Sequence, residues 1–200
     1  MKKKILGLLF FLTASQVFAG LEEAKSFYTA GNYEQAVEQL NLILTDSPSN
    51  MEALKILTDI YKKTDLKKYI TTAKNYLKSG GKLGFDDIWN LANMSYENFK
   101  DLDSALYFTS KCNQIAPNRA EVYNLIGVLY YHKENLKLSI IALKTSVYLS
   151  GSSALYASNL ARSYEKIQNF KKASAYYKMS VKNDPNFTRS VNALKRLEGN

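Results

Sequence analysis

Few residues in this chain are equipped for chemistry. His132 is its only histidine and Cys112 its only cysteine. A structural or catalytic zinc centre needs several His, Cys or carboxylate ligands brought together, so no His–His or His–Cys set can be assembled. No internal disulfide can form, which leaves Cys112 as a small buried hydrophobe or a link to another chain. Ser79–Lys82 and Ser163–Lys166 both have a Ser-x-x-Lys spacing. That motif fixes only two positions in a chain rich in both residues, and the companion motifs of the acyl-enzymes that use it are absent. Gly80-Gly81-Lys82 lacks the spacing of a phosphate-binding loop. Asp86-Asp87 and the pair Asp101 and Asp103 fall near expected helix starts, where negative charge is favoured by the helix dipole, and capping accounts for them. No catalytic, metal-binding or cofactor-binding constellation emerges, so the chain is read as a non-enzyme that takes no cofactor.

What the sequence does contain is a period. Tyr96, Tyr130 and Tyr164 are spaced 34 apart, and so are Ala92, Ile126 and Leu160. The same spacing relates Asn93, Gly127 and Ala161, as well as Ala105, Ser139 and Ala173, and more loosely Trp89, Tyr123 and Ala157. Upstream, Phe27 and Tyr61 lead into the tyrosine series at intervals of 34 and then 35. The three prolines, Pro48, Pro117 and Pro185, are spaced 69 and 68 apart, all at one phase of the repeat. Within a period the apolar spacing is helical. Trp89, Ala92, Met94 and Tyr96 mark a first helix, a polar turn follows around Phe99-Lys100-Asp101, and Leu102, Ala105, Leu106 and Phe108 mark a second. Ala116-Pro117-Asn118 stops the second helix, because proline cannot continue it. Scarce proline and glycine, three and nine in 200 residues, also favour helices over β-turns.

A two-helix unit of this length and pattern resembles the tetratricopeptide repeat. The clearest second helices are Gly31-Asn32-Tyr33 with Ala36 and Pro48, and Asn169-Phe170 with Ala173 and Pro185. The resemblance implies an all-α, right-handed α-solenoid of about five helix pairs and a C-terminal capping helix. Repeats are expected at about 20–50, 51–85, 86–119, 120–153 and 154–187, with the cap at 188–200. Two departures stand out. The second half of repeat 51–85 lacks the usual Ala and ends in Gly80-Gly81-Lys82-Leu83-Gly84 without proline, which marks a hinge or irregular turn. Repeat 120–153 carries Ser139 and Gly151 where Ala and Pro would be usual.

The start of the chain sets an expected compartment. Lys2, Lys3 and Lys4 precede a short apolar stretch, Ile5 to Leu12, and a polar break leads to Val17-Phe18-Ala19. This is the order of a secretory signal peptide cleaved after Ala19, giving a periplasmic or secreted protein; an uncleaved anchor is the alternative. Spanning a bilayer takes roughly 20 apolar residues, and Ile5 to Leu12 falls well short. The lone Cys112 is not at the cleavage point, so lipidation there is excluded.

Formal charge is +9, and +6 once the three signal lysines are removed. It is banded: residues 20–54 have one Lys against six acids, whereas residues 136–200 have eleven basic residues against three acids. The lysines are not interleaved with aromatics as a nucleic-acid groove requires, so no nucleic-acid partner is expected. A solvated face, an acidic partner and an anionic membrane surface all fit such banding, and peripheral membrane contact stays open.

With no catalytic site, function must come from the surface that stacked repeats create. The resemblance implies that first helices line a concave face holding a peptide or partner protein. The inward positions are then Asn90, Met94 and Glu97, with neighbouring Asn98, in the third repeat. The fourth gives Asn124, Val128, Tyr131 and His132, and the fifth Ser158, Arg162 and Glu165, with neighbouring Lys166. Tyr131 is the aromatic anchor of the set, and Asn offers both donor and acceptor to a peptide backbone. Some relatives grip a C-terminal carboxylate; Val128 and Leu155 stand where that clamp needs polar or basic residues, so it is not expected. The favoured reading is an exported protein–protein interaction scaffold in an envelope or secretion complex, with self-association through an end repeat left open. The alternative is a periplasmic binder of a small solute working beside a transporter.

Overall fold

The computed structural model describes residues 14–199. The apolar stretch Ile5–Leu12 lies outside them, and Val17–Ala19 fall in the opening turns of the first helix. The described residues form eleven α-helices and no strand. None of these helices is long and apolar enough to cross a membrane.

The chain divides into two compact units between Leu83 and Gly84. The first holds α1 (Ala14–Thr29), α2 (Tyr33–Asp46), α3 (Met51–Thr64) and α4 (Leu66–Lys78). Each helix packs on the next. Ala24, Ala36, Leu40 and Ala53 are completely buried where they meet, the small residues allowing close approach and Leu40 filling the space beside them. The expected irregular turn is present: no helix covers Gly80 to Gly84. Gly80 has φ +94°, and a Cβ on Gly81 would meet the Tyr76 ring at 2.3 Å.

The second unit holds α5 (Phe85–Glu97), α6 (Leu102–Ile115), α7 (Ala120–His132), α8 (Leu136–Ser150), α9 (Ala154–Lys166), α10 (Phe170–Asn183) and α11 (Thr188–Glu198). These are three helix pairs and a closing helix. The turn inside each pair is one module used three times. Lys100, Glu134 and Gln168, spaced 34 apart, take left-handed φ of +53°, +60° and +60°. The next residue, Asp101, Asn135 or Asn169, caps the second helix, its side chain accepting from the N–H of Ser104, Leu138 or Lys172. A left-handed residue satisfies the last carbonyls of one helix, and the Asx cap satisfies the first amides of the next. Pro117 and Pro185 sit two residues past the ends of α6 and α10, while Gly151 at φ +68° closes α8 in place of a proline.

The core of this unit lies between the pairs. Leu143 of α8, Leu160, Ala161 and Tyr164 of α9, Ala173 and Tyr177 of α10 and Ala193 of α11 form one buried cluster. The fit at Gly127 is tight: a Cβ there would stand 2.4 Å from the Leu143 side chain and 3.2 Å from its backbone nitrogen. Ser139, the departure from Ala, is fully buried with its hydroxyl 3.0 Å from that of Ser163 on α9.

Candidate functional site

Four of the residues with catalytic potential have structural roles. Cys112 is completely buried in α6, and burial pushes its thiol up to about 11, which keeps it protonated and unreactive. Ser163 is equally buried, held by Ser139 and by the carbonyl of Asn159. Asp101 caps α6, and Asp103 accepts from Lys133 at 2.6 Å.

A polar, aromatic surface is built instead by α5, α7 and α9, the first helices of the second unit. Tyr131, near the end of α7, is its centre. Arg162 of α9 lies 4.9 Å above the Tyr131 ring and Lys166 lies 5.2 Å from it, one helical turn further along α9. A cation over an aromatic face is attracted by the ring quadrupole, which gathers two positive heads at one spot. Tyr131, Arg162, Glu165 and Lys166 line an open cleft of about 300 Å³. Beside it, the Tyr96 hydroxyl of α5 and Nε2 of His132 are 3.0 Å apart. Lys100 lies 5.3 Å over the Tyr96 ring. His132 titrates below its usual 6.5, first through lost hydration and then through the positive field of Arg162, Lys100 and Lys166.

The two carboxylates near the cleft are already engaged. Glu165 accepts from the Tyr177 hydroxyl at 2.7 Å and from Arg196 of α11, and Glu134 pairs with Lys166 at 3.0 Å. No ion pair engages Arg162 among the described residues. The cleft therefore presents a guanidinium on an aromatic platform, with its fellow cations close by.

A second polar feature runs along the same helices. Asn159, nearly buried on α9, donates from Nδ2 to Asn124 Oδ1 of α7 at 2.9 Å, and its Oδ1 accepts from Arg189 of α11 at 3.2 Å. This ladder ties three helices together and engages Asn124 Oδ1.

The expected surface residues sort clearly. Tyr131, His132, Arg162 and Glu165 come together around the cleft, Glu165 as a brace for Tyr177 and Arg196. Asn124 and Val128 are half-buried on α7, and Met94 is half-buried on α5 beside exposed Asn90 and Glu97. Ser158 is a correction: it is completely buried and offers no surface, because α9 turns that position into the repeat. Lys100 and Asn159 were not expected. Lys100 belongs to a turn rather than a first helix, while the near-period step from Asn124 to Asn159 was a usable signal.

Comparison with known proteins agrees with this architecture. The family model for the tetratricopeptide repeat matches residues 120–152 and 156–187. A BBSome complex member BBS4 homolog of Drosophila melanogaster is 31% identical over 161 residues, 74% of this chain. The chain spans only 30% of that relative's length. Among solved structures, YrrB, described as a TPR protein with an unusual peptide-binding site, is similar with a TM-score of 0.61 at 16% identity, covering 90% of this chain and 92% of its own. A MamA structure (AMB-1) reaches 0.56 at 18% identity, covering 87% and 94%. The first TPR of Spaghetti (RPAP3), bound to an HSP90 peptide, reaches 0.55 at 16% identity over 57% of this chain and 90% of its own. Period, turn module, helix pairing and fold converge on the tetratricopeptide repeat, which residues 120–152 and 156–187 match as a family and which the described helices adopt as a fold.

Proposed function

We propose that this chain is an exported interaction scaffold that holds an extended segment of a partner protein on the α5–α7–α9 face, with an acidic side chain of that segment seated at Arg162. The observation that carries the reading is the cleft itself: Arg162 and Lys166 both lie over Tyr131, and no carboxylate of the described residues pairs with Arg162. A planar guanidinium matches a carboxylate in a two-bond geometry, and a tyrosine platform beneath it supplies apolar area at low entropic cost. The cleft is open rather than enclosed, which suits residues of a passing segment better than a sequestered solute. Two of the similar structures are described with peptide binding or a bound peptide, which supports this mode of use. The basic–apolar–small order from Met1 to Ala19 supports export, and the periplasm is the compartment proposed.

Affinity capture from the native cell envelope tests the reading, with Tyr131→Ala/Arg162→Ala as control. A partner retained by the wild type and lost with the double variant supports it; equal retention by both overturns the placement of the groove. Recovery of the mature chain beginning at Gly20 from the periplasmic fraction supports export, and recovery of the intact chain from cytoplasm overturns it.

A further inference from the structure

A second helix of the same unit, α8, carries a feature that partner binding at the Tyr131 cleft does not use. Along it, Leu138, Ile141, Thr145 and Tyr148 follow one another at steps of three, four and three residues. Leu138 is 38% exposed, Ile141 54% and Tyr148 85%. The Thr145 hydroxyl is satisfied within α8 by the Ile141 carbonyl at 3.2 Å. Ile141, Lys144, Thr145 and Tyr148 line a shallow cleft of about 410 Å³. The repeat register shows how unusual this is. One period later, on α10, the positions of Leu138, Ile141 and Tyr148 are held by Lys172, Ala175 and Lys182, all exposed. α8 thus puts large apolar groups where the next repeat puts two charged heads and a single methyl.

We propose that this strip on α8 docks an amphipathic helix of a partner protein whose apolar seam is flanked by acidic residues. The three–four–three spacing is the seam that one helix reads on another, and a single row about 15 Å long, at 1.5 Å per residue, is a helix footprint. Charge identifies the partner. Lys137 and Lys144 flank the strip, α8 and α10 contain no acidic residue, and no ion pair engages either lysine among the described residues. A second copy of the same strip is disfavoured, because antiparallel pairing would set the two Lys144 side chains near each other with no carboxylate to offset them. Flanking charges of opposite sign select partner and register in helix pairs. A lipid surface is served less well: the apolar groups form one line on one helix rather than a patch spread over several.

The test uses the full chain and two designed three-heptad helical peptides with the same leucine seam, one flanked by Glu and one by Lys. Fluorescence anisotropy is expected to show binding of the Glu-flanked peptide, weakened at least about tenfold in Ile141→Glu/Tyr148→Ser. Both residues are exposed, so circular dichroism of that variant should match the wild type. Lys137→Glu/Lys144→Glu should reverse the preference toward the Lys-flanked peptide, and Tyr131→Ala should leave binding unchanged. No binding of the Glu-flanked peptide, or equal binding of both peptides, overturns the proposal. So does binding to phosphatidylglycerol vesicles that is lost in Ile141→Glu/Tyr148→Ser while the peptide never binds; that result would assign the strip to a membrane.

Discussion

The His132 ring sits against Tyr96 with Arg162, Lys100 and Lys166 nearby, and lost hydration together with those cations holds its pKa below 6.5. A histidine with a depressed pKa is neutral in the folded chain while the unfolded chain still binds the proton. Its contribution to stability is therefore complete above 6.5 and is lost as pH falls through the folded value. The ring is the chain's only histidine, so one resonance in an NMR titration reports it. The midpoint should lie below 6.5 and move part of the way back in Arg162→Ala/Lys166→Ala, since burial is the larger cause; a wild-type midpoint at or above 6.5 would contradict the described field. A carboxylate arriving at Arg162 opposes that field and favours the protonated ring. By linkage, an acidic peptide should bind more tightly as pH drops from 7 toward 6 and should shift the His132 resonance upward in pKa. At this scale the sequence was only partly legible. Tyr131 and Arg162 could be placed from the period, because side chains three or four residues apart share a helix face. Ser158 could not, since one position of rotation separates the interior of a repeat from its surface, and Lys100 reaches the site from a turn that no face pattern describes.

Two helix-level features make opposite predictions for glycine. At Gln168 the backbone is left-handed at φ +60° and the residue is exposed. A side chain there costs roughly 1 kcal/mol that glycine avoids, so Gln168→Gly should raise stability by about that much in urea unfolding, offset in part by the greater freedom of the unfolded chain. A loss instead of a gain would mean the side chain has a role its surroundings do not show. At Gly127 the reverse holds. α7 and α8 touch at Leu143, and a methyl group would press on both its side chain and its backbone. Gly127→Ala should cost about 1–3 kcal/mol through overpacking, and a neutral result would show that α8 can slide. Element positions were the most legible part of the chain, for a reason tied to these turns. A left-handed residue followed by Asn or Asp recurs at Lys100-Asp101, Glu134-Asn135 and Gln168-Asn169, so cap chemistry and apolar period mark the same boundaries. α4 was harder. Its start is capped by Asp65, which accepts from the N–H groups of Lys67 and Lys68, with no left-handed residue before it. Its end is a glycine turn rather than a proline.

A repeat array is held together by contacts between neighbours, so its stability is distributed along the chain rather than concentrated in one centre. The helix packing here has that form: within each unit a helix meets chiefly the one before and the one after. Leu40 of the first unit and Leu160 of the second are both completely buried, and each truncation to Ala should cost about 2–5 kcal/mol. What separates them is where the loss appears. A core that behaved as one cooperative block would accelerate amide exchange everywhere in either variant. With neighbour-limited contacts, Leu40→Ala should speed exchange mainly in α1 to α4, and Leu160→Ala mainly in α7 to α11, where its cluster includes Leu143, Tyr177 and Ala193. Hydrogen exchange followed by mass spectrometry resolves the two patterns, and uniform acceleration in both variants would rule out the distributed picture. The distinction bears on function, because the Tyr131 cleft and the α8 strip both lie in the second unit. If stability is local, Leu160→Ala should weaken binding at both surfaces while Leu40→Ala, at equal cost to its own unit, leaves both intact.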